Sequence, residues 1–299
     1  MDQPTRPHSS IAHRVQRAIA LECSTHKLGN VHPYASFSDL SYSDFLLAAR
    51  VIGNRIDQYQ TQPVGKMILA SVSGMMRIVK TNTSLGTILL IAPLAKAITK
   101  NNSLAQYGFS SCVQWQIETN AILGTLNSMD ACDIYESIAI AKPGGLGKSD
   151  SMDVADSPPD SIVEAMQVAS SRDDVALQYV TQFSLVFELA RRLDEKQKQE
   201  LNAMDCIRCL QLELLSERID SLIARKAGQE QAGIVQQEAQ FVMNAGPYGS
   251  PAYERAWLNF DKRLRDPLHR YNPGTTADLI AAALFVLGPA FNTPVDLPP

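Results

Sequence analysis

Apolar residues recur along this chain every three and four positions, the spacing that stacks them on one face of a helix. In 11–21, Ile11, Val15, Ala18 and Ile19 fall in that register. A loop rich in His, Gly, Asn and Pro occupies about 24–40, and Ser41 or Ser43 then caps a helix carrying Phe45, Leu46, Ala49 and Ile52. Further helices are predicted over 64–79, 84–99, 112–127 and 129–141. Lys142-Pro-Gly-Gly-Leu-Gly147 ends that run. An Asp-, Ser- and Pro-rich segment continues to about 159, where Ser157 ahead of Pro158 and Pro159 reads as a helix start. Helices follow over 161–170, 173–193, 196–225 and 229–243, and after the Gly/Pro loop of 244–251 over 252–265 and 275–287. No stretch of six or more residues alternates cleanly between turn residues, so no strand is predicted. The pattern describes an all-α, single-domain multi-helix bundle over 11–290, with a flexible N-terminal tail (1–10) and an extended C-terminal tail (291–299).

Composition narrows the function more than the fold. A chain of 299 residues buries enough surface to fold without disulfide or metal staples. Aromatics make up only 7%, which disfavours a β-sandwich or barrel. The net charge of −4, without a Lys/Arg stripe, argues against nucleic acid as a partner. The opening MDQPTRPHSS has no apolar core of a signal peptide, and the longest apolar run, 88–95, is interrupted by Pro93 and too short for a bilayer. No membrane partner is therefore expected. Five cysteines at irregular spacing suit reduced thiols and a cytoplasmic location. Cys206-Ile-Arg-Cys209 is formally a CxxC, but it sits in a helical pattern and reads as two ordinary thiols rather than a redox or zinc motif.

Four polar clusters stand at helix ends, where a rigid scaffold positions chemistry. The first is Glu22, Lys27, Gly29, Asn30 and His32, a carboxylate and an ammonium around a glycine turn. Its bland reading is a helix C-terminus with a lysine near the dipole. The second, Thr81-Asn-Thr-Ser-Leu-Gly86, is either a plain cap through Asn82, Thr83 or Ser84, or an anion-binding helix N-terminus. The third runs from Asp130 and Asp133, spaced to share a helix face, through Gly144 and Gly145 to Asp153 and Asp156. Hard carboxylate oxygens there suit Mg²⁺ held together with substrate phosphates, and a solvated acidic face is the alternative. The fourth is Asn272-Pro-Gly-Thr-Thr-Ala-Asp-Leu279, with Asp261, Arg263 and Arg265 upstream. Thr275 and Asp278 form a capping-box pattern, and Asp278 equally suits a site.

Taken in order, these clusters resemble the triphosphoribosyl-dephospho-CoA synthase family over most of the chain. Glu22-Cys-Ser-Thr-His-Lys-Leu-Gly-Asn-Val31 is similar to that family's Glu-x-x-x-x-Lys-Pro-Gly loop, with Leu28 where proline is usual. Asn82-Thr-Ser-Leu-Gly86 corresponds to Asn-Thr-His-Lys-Gly, with Ser84 and Leu85 replacing the His-Lys pair. Asn272-Pro-Gly-Thr-Thr-Ala-Asp-Leu279 is similar to Ser-Pro-Gly-Gly-x-Ala-Asp-Leu. The departures, with Ala141-Lys-Pro-Gly-Gly-Leu-Gly147, look more like the divergent branch of archaea and tetrahydromethanopterin-containing bacteria.

The resemblance implies an all-α enzyme, Mg²⁺, and ATP or a related phosphorylated ribose as donor. The acceptor it implies is dephospho-CoA or, in the divergent branch, a pterin precursor. In the named family the ribose C1′ of ATP is attacked by a hydroxyl of dephospho-CoA and adenine leaves. On that reading Glu22 or Asp278 takes the hydroxyl proton or steadies the oxocarbenium ion. Lys27, Arg263 and Arg265 bind phosphate, Asn82 and Thr83 fix ribose or phosphate, and Asp130, Asp133 and Asp153 hold Mg²⁺. Gly29, Asn30, Gly86, Gly144, Gly145, Asn272 and Gly274 complete the substrate-binding set. A non-catalytic nucleotide-binding or assembly protein on the same scaffold is the reading from another class, and a homodimer is left open.

Overall fold

The computed structural model describes residues 10–107, 112–147, 151–199 and 201–291, so the expected tails lie almost wholly outside the described residues. Those residues form fifteen α-helices: α1 (Ile11–Ser24), α2 (Tyr42–Gln58), α3 (Val64–Val79), α4 (Leu85–Lys100), α5 (Ser103–Tyr107), α6 (Cys112–Leu123), α7 (Ser128–Ala141), α8 (Ile162–Ala169), α9 (Asp174–Val180), α10 (Ser184–Lys198), α11 (Ala203–Glu217), α12 (Ser221–Ala227), α13 (Gln229–Met243), α14 (Pro251–Leu264) and α15 (Gly274–Leu287). The fold is all-α. A lone antiparallel bridge between His32 and Ala35 is the β pairing seen among the described residues. None of these helices is long and apolar enough to cross a membrane.

Capping explains most of the boundaries. Ser41, not Ser43, starts α2: its hydroxyl accepts from Asp44 N–H while the Asp44 carboxylate accepts from Ser41 N–H. The start expected at Ser157 falls later, because Ser161 caps α8. Two long helices expected from periodicity are broken. The 173–193 run splits where Gln182 and Phe183 adopt φ of 55° and 61°, a turn that sends the Phe183 ring into the core beside Tyr179. The 196–225 run splits twice, at Asn202 capping α11 and Asp220 capping α12.

Inside α4, Pro93 has no N–H to offer the carbonyl of Leu89. The buried Tyr179 hydroxyl donates to that carbonyl at 2.7 Å and so ties α9 to α4.

The larger apolar cluster joins α1 to α4, α6 to α10 and α15, with Trp115, Phe183, Phe187 and Phe285 fully enclosed. A smaller cluster around Trp257 unites α11 to α14 and Leu28 of the first loop. Helix α11 belongs to both, giving Ile207, Leu210 and Leu214 to one and Leu212 and Leu215 to the other. Cys206 and Cys209 sit on α11 as free thiols, both pushed up to about 11 by burial.

Candidate active site

The ends of α1, α3, α4, α7, α9, α12 and α15 surround a cavity of about 550 Å³. Glu22, Asn30, Asn82, Thr83, Gly86, Gly144, Asp153, Asn272, Gly274 and Asp278 all line it, so ten of the residues singled out in the sequence meet in one place.

Asp278, in the second turn of α15, forms the centre. Its Oδ1 accepts hydrogen bonds from Thr87 N–H (2.8 Å) and the Thr87 hydroxyl, which join α15 to the start of α4. The expected Thr275–Asp278 capping box does not form, because Thr275 receives the Ser221 hydroxyl instead. Asp278 Oδ2 lies against Gly86, where a Cβ would overlap it, and among the described residues no hydrogen bond is made to this oxygen. Burial, opposed by the Thr87 bonds and reinforced by Glu22 and Asp220, pushes the Asp278 carboxyl up to about 7. A carboxyl poised there can take or give a proton at neutral pH.

Glu22 ends α1 beside it. Lys27 is fully buried, donates to Glu22 Oε1 at 2.8 Å and to the Glu22 carbonyl at 2.6 Å, and does not line the cavity. The expected phosphate lysine is therefore a buried partner that holds Glu22. A phosphate would have to strip that ammonium from its carboxylate.

Asn30 and Asn272 face the cavity as a pair. Asn30 Nδ2 donates to Asn272 Oδ1 at 2.7 Å, and the buried Gln211 donates to Asn30 Oδ1 at 2.7 Å. On the opposite side, Asn82 Oδ1 accepts from Leu85 N–H at 3.1 Å, capping α4. The Thr83 hydroxyl is turned toward Met75, donating to its Sδ at 3.2 Å. Ser84 and Leu85, both buried, make this wall uncharged.

Cations that sequence reasoning missed stand around the cavity: Lys80, Lys142, Arg172, Arg225 and Lys226, with His269. Lys80 and Lys142 terminate α3 and α7 in the left-handed conformation, at φ of 63° and 45°. Arg225 donates to Asp173 Oδ2 at 2.5 Å, and its buried Nε has no partner. Arg172 and Lys226 donate to the carbonyls of Leu146 and His269, each at 3.3 Å. A Cβ on Gly144 would strike the Lys226 side chain at 2.8 Å, and one on Gly145 the Arg225 backbone at 3.0 Å. The glycines thus let the loop pack on the two cations; that close approach was the available signal.

Other expectations are corrected. Gly29 lies outside the cavity at φ 67°, packed on Leu264 and Pro273, with its N–H bonded to Asp261. Gly145 does not line the cavity either. Arg263 pairs with Glu238, and Arg265 binds Asp261 (2.9 Å) and the Asn30 carbonyl (2.9 Å), so neither meets a phosphate in the cavity.

Asp130 and Asp133 also turn away, toward α3. Asp130 accepts from Gly65 N–H at 2.7 Å and Asn127 N–H at 3.1 Å, while Asp133 pairs with Lys66 at 2.9 Å. With those contacts made, Asp130 and Asp133 stand away from the cavity wall that Asp153 lines. Among the described residues they are not a converging donor group. Asp130→Ala is accordingly expected to lower stability by about 2–3 kcal/mol while leaving kcat within about twofold of the parent. Urea unfolding and steady-state rates on the same preparation check this.

Residues 8–290 match the family model described as ATP:dephospho-CoA triphosphoribosyl transferase. The fold is similar to a crystal structure from Archaeoglobus fulgidus, provisionally assigned as a triphosphoribosyl-dephospho-CoA synthase. The TM-score is 0.61 and the identity 21%, covering 81% of this chain and 97% of that one. No curated protein matches the chain significantly.

Proposed function

The chain belongs to the ATP:dephospho-CoA triphosphoribosyl transferase family, and on that premise we propose that its cavity moves the triphosphoribosyl group of ATP onto a hydroxyl of dephospho-CoA. The observation that carries this reading is the pairing of a proton-poised carboxyl, Asp278, with a cationic rim on one cavity. In the transfer, the C1′–N bond of ATP breaks and its electron pair leaves with adenine. A C1′–O bond forms to the acceptor, whose hydroxyl proton passes to Asp278 Oδ2 and from there to the departing adenine nitrogen, which returns the carboxylate for the next turnover. Positive charge builds on the sugar at the transition state, and the Glu22 carboxylate stabilises it from the same wall. Lys27 fixes Glu22 in place. Asn30 and Asn272 present amide groups to sugar hydroxyls.

We assign the triphosphate to Arg172, Arg225 and Lys226, three cations that line the same cavity. The Ser84–Leu85 wall carries no charge and takes an uncharged part of a substrate. Mg²⁺ enters with the triphosphate as part of the nucleotide substrate, since Asp130 and Asp133 are engaged with α3.

Charge-assisted bonds contribute about 1.5–3 kcal/mol each, or roughly a 10- to 100-fold change in an equilibrium. Arg225→Ala should therefore raise KM for ATP by about tenfold or more with a smaller change in kcat. An unchanged KM would place the phosphates elsewhere. ATP consumption must also depend on the acceptor: steady consumption of ATP at the same rate without dephospho-CoA contradicts the transfer.

A further inference from the structure

Behind the cavity wall, His26, His32 and Asp261 bring three ligand atoms within 4.8 Å of one another. None of the three lines the cavity. The histidines lie on the loop between α1 and α2, their ring centroids 4.0 Å apart, and Asp261 projects from α14. His26 Nε2 is 3.6 Å from Asp261 Oδ2. His32 is only 2% exposed, and its Nε2 has no hydrogen-bond partner among the described residues. Buried polar atoms are nearly always satisfied, so this orphan points to a missing partner.

We propose that His26, His32 and Asp261 bind one zinc-type divalent cation that clamps the loop to α14. Two imidazole nitrogens and a carboxylate oxygen are a donor set for zinc and its first-row neighbours, whereas Mg²⁺ and Ca²⁺ require mostly oxygen. Bonds of about 2.0–2.2 Å need the ligand atoms to draw closer than they stand. His26 supplies the movement, because its side chain is 41% exposed and borne on a loop.

Asp261 spends Oδ1 on Gly29 N–H and one lone pair of Oδ2 on Arg265 Nε, leaving the Oδ2 edge that faces His26. Coordination through His32 Nε2 places the ring proton on Nδ1, which displaces the 3.3 Å bond from Tyr34 N–H; the exposed Tyr34 then turns to water. The cations near His32 are Arg265 and Lys27, each already matched to a carboxylate, Asp261 and Glu22. The ligands stand apart from Asp278, so the cation's role is to hold the loop that carries Asn30 to the cavity.

The test uses the full chain, stripped with chelator and titrated with Co²⁺. One equivalent should bind with a visible ligand-field absorption, Zn²⁺ should displace it, and millimolar Mg²⁺ should not. Zn²⁺ should also raise the melting temperature. His26→Gln and His32→Gln should each weaken Co²⁺ binding at least tenfold. His26→Gln, at a half-exposed position, should keep the parental circular dichroism. Absence of Co²⁺ uptake, displacement by Mg²⁺, or parental affinity in the correctly folded His26→Gln protein would overturn the proposal.

Discussion

Asp278→Asn is expected to fold, to bind ATP, and to lose about 10²- to 10⁴-fold in kcat, the range that a general base contributes. The asparagine oxygen still accepts both hydrogen bonds from Thr87, so the junction of α4 and α15 persists. What disappears is the proton acceptor at Oδ2. In the parent, kcat/KM should rise with pH as the carboxyl ionises near pH 7, and in the variant that rise should vanish.

Stability should move the opposite way. A carboxyl raised from 3.8 to about 7 keeps its proton in the folded protein after the unfolded chain has lost it. Its contribution is fully present below about pH 4 and is lost as pH climbs to 7. Asparagine carries no charge to bury, so above pH 7 the variant should melt higher than the parent, with the difference closing in acid. A variant both inactive and more stable distinguishes a functional carboxyl from a structural one. Parental kcat in Asp278→Asn would remove Asp278 from the mechanism.

Gly86→Ala is the second large effect. Inside a helix, alanine normally improves on glycine by about 0.5–1 kcal/mol, so a purely helical role predicts a more stable, active enzyme. Here the new methyl would overlap Asp278 Oδ2 and come within 3.2 Å of Val175 Cγ2. The carboxylate must swing away, breaking its bonds to Thr87 and leaving the hydroxyl of the acceptor without its base. We expect a melting temperature below that of the parent and a loss of kcat of at least 10²-fold. Differential scanning fluorimetry and initial rates read both effects. An alanine variant that gains stability and keeps its rate would show that Gly86 does not shape the site.

Much of this arrangement is legible in the amino-acid sequence. Helix after helix follows from apolar spacing, and Glu22, Asn30, Asn82, Gly86, Asn272 and Asp278 converge although they span most of the chain. The lost boundaries share a cause. Around Phe183 and Asp220 the apolar rhythm continues across the break, and the turns are imposed by distant contacts. Asp220, for example, accepts both the N–H and the hydroxyl of Thr276 on α15.

The misplaced charges have a similar origin. Spacing shows that Asp130 and Asp133 share a face, but not that the face meets Gly65 and Lys66 of α3. Lys27, Arg263 and Arg265 looked available because a sequence does not show which partner, near or remote, consumes a charge. Glu22, Glu238 and Asp261 do so here. Conversely, nothing in the spacing marks Arg225 and Lys226, which the fold brings to the cavity with Gly144 and Gly145 packed on them.

We propose that this cavity cleaves ATP at the sugar, not at a phosphate. The mass of the product formed from ATP and dephospho-CoA tests it most directly. Transfer to the acceptor hydroxyl yields one adduct whose mass equals the two substrates less adenine, with free adenine in equal amount. An adduct retaining the adenine of ATP, accompanied by pyrophosphate, or the formation of ADP and phosphate, would contradict the account.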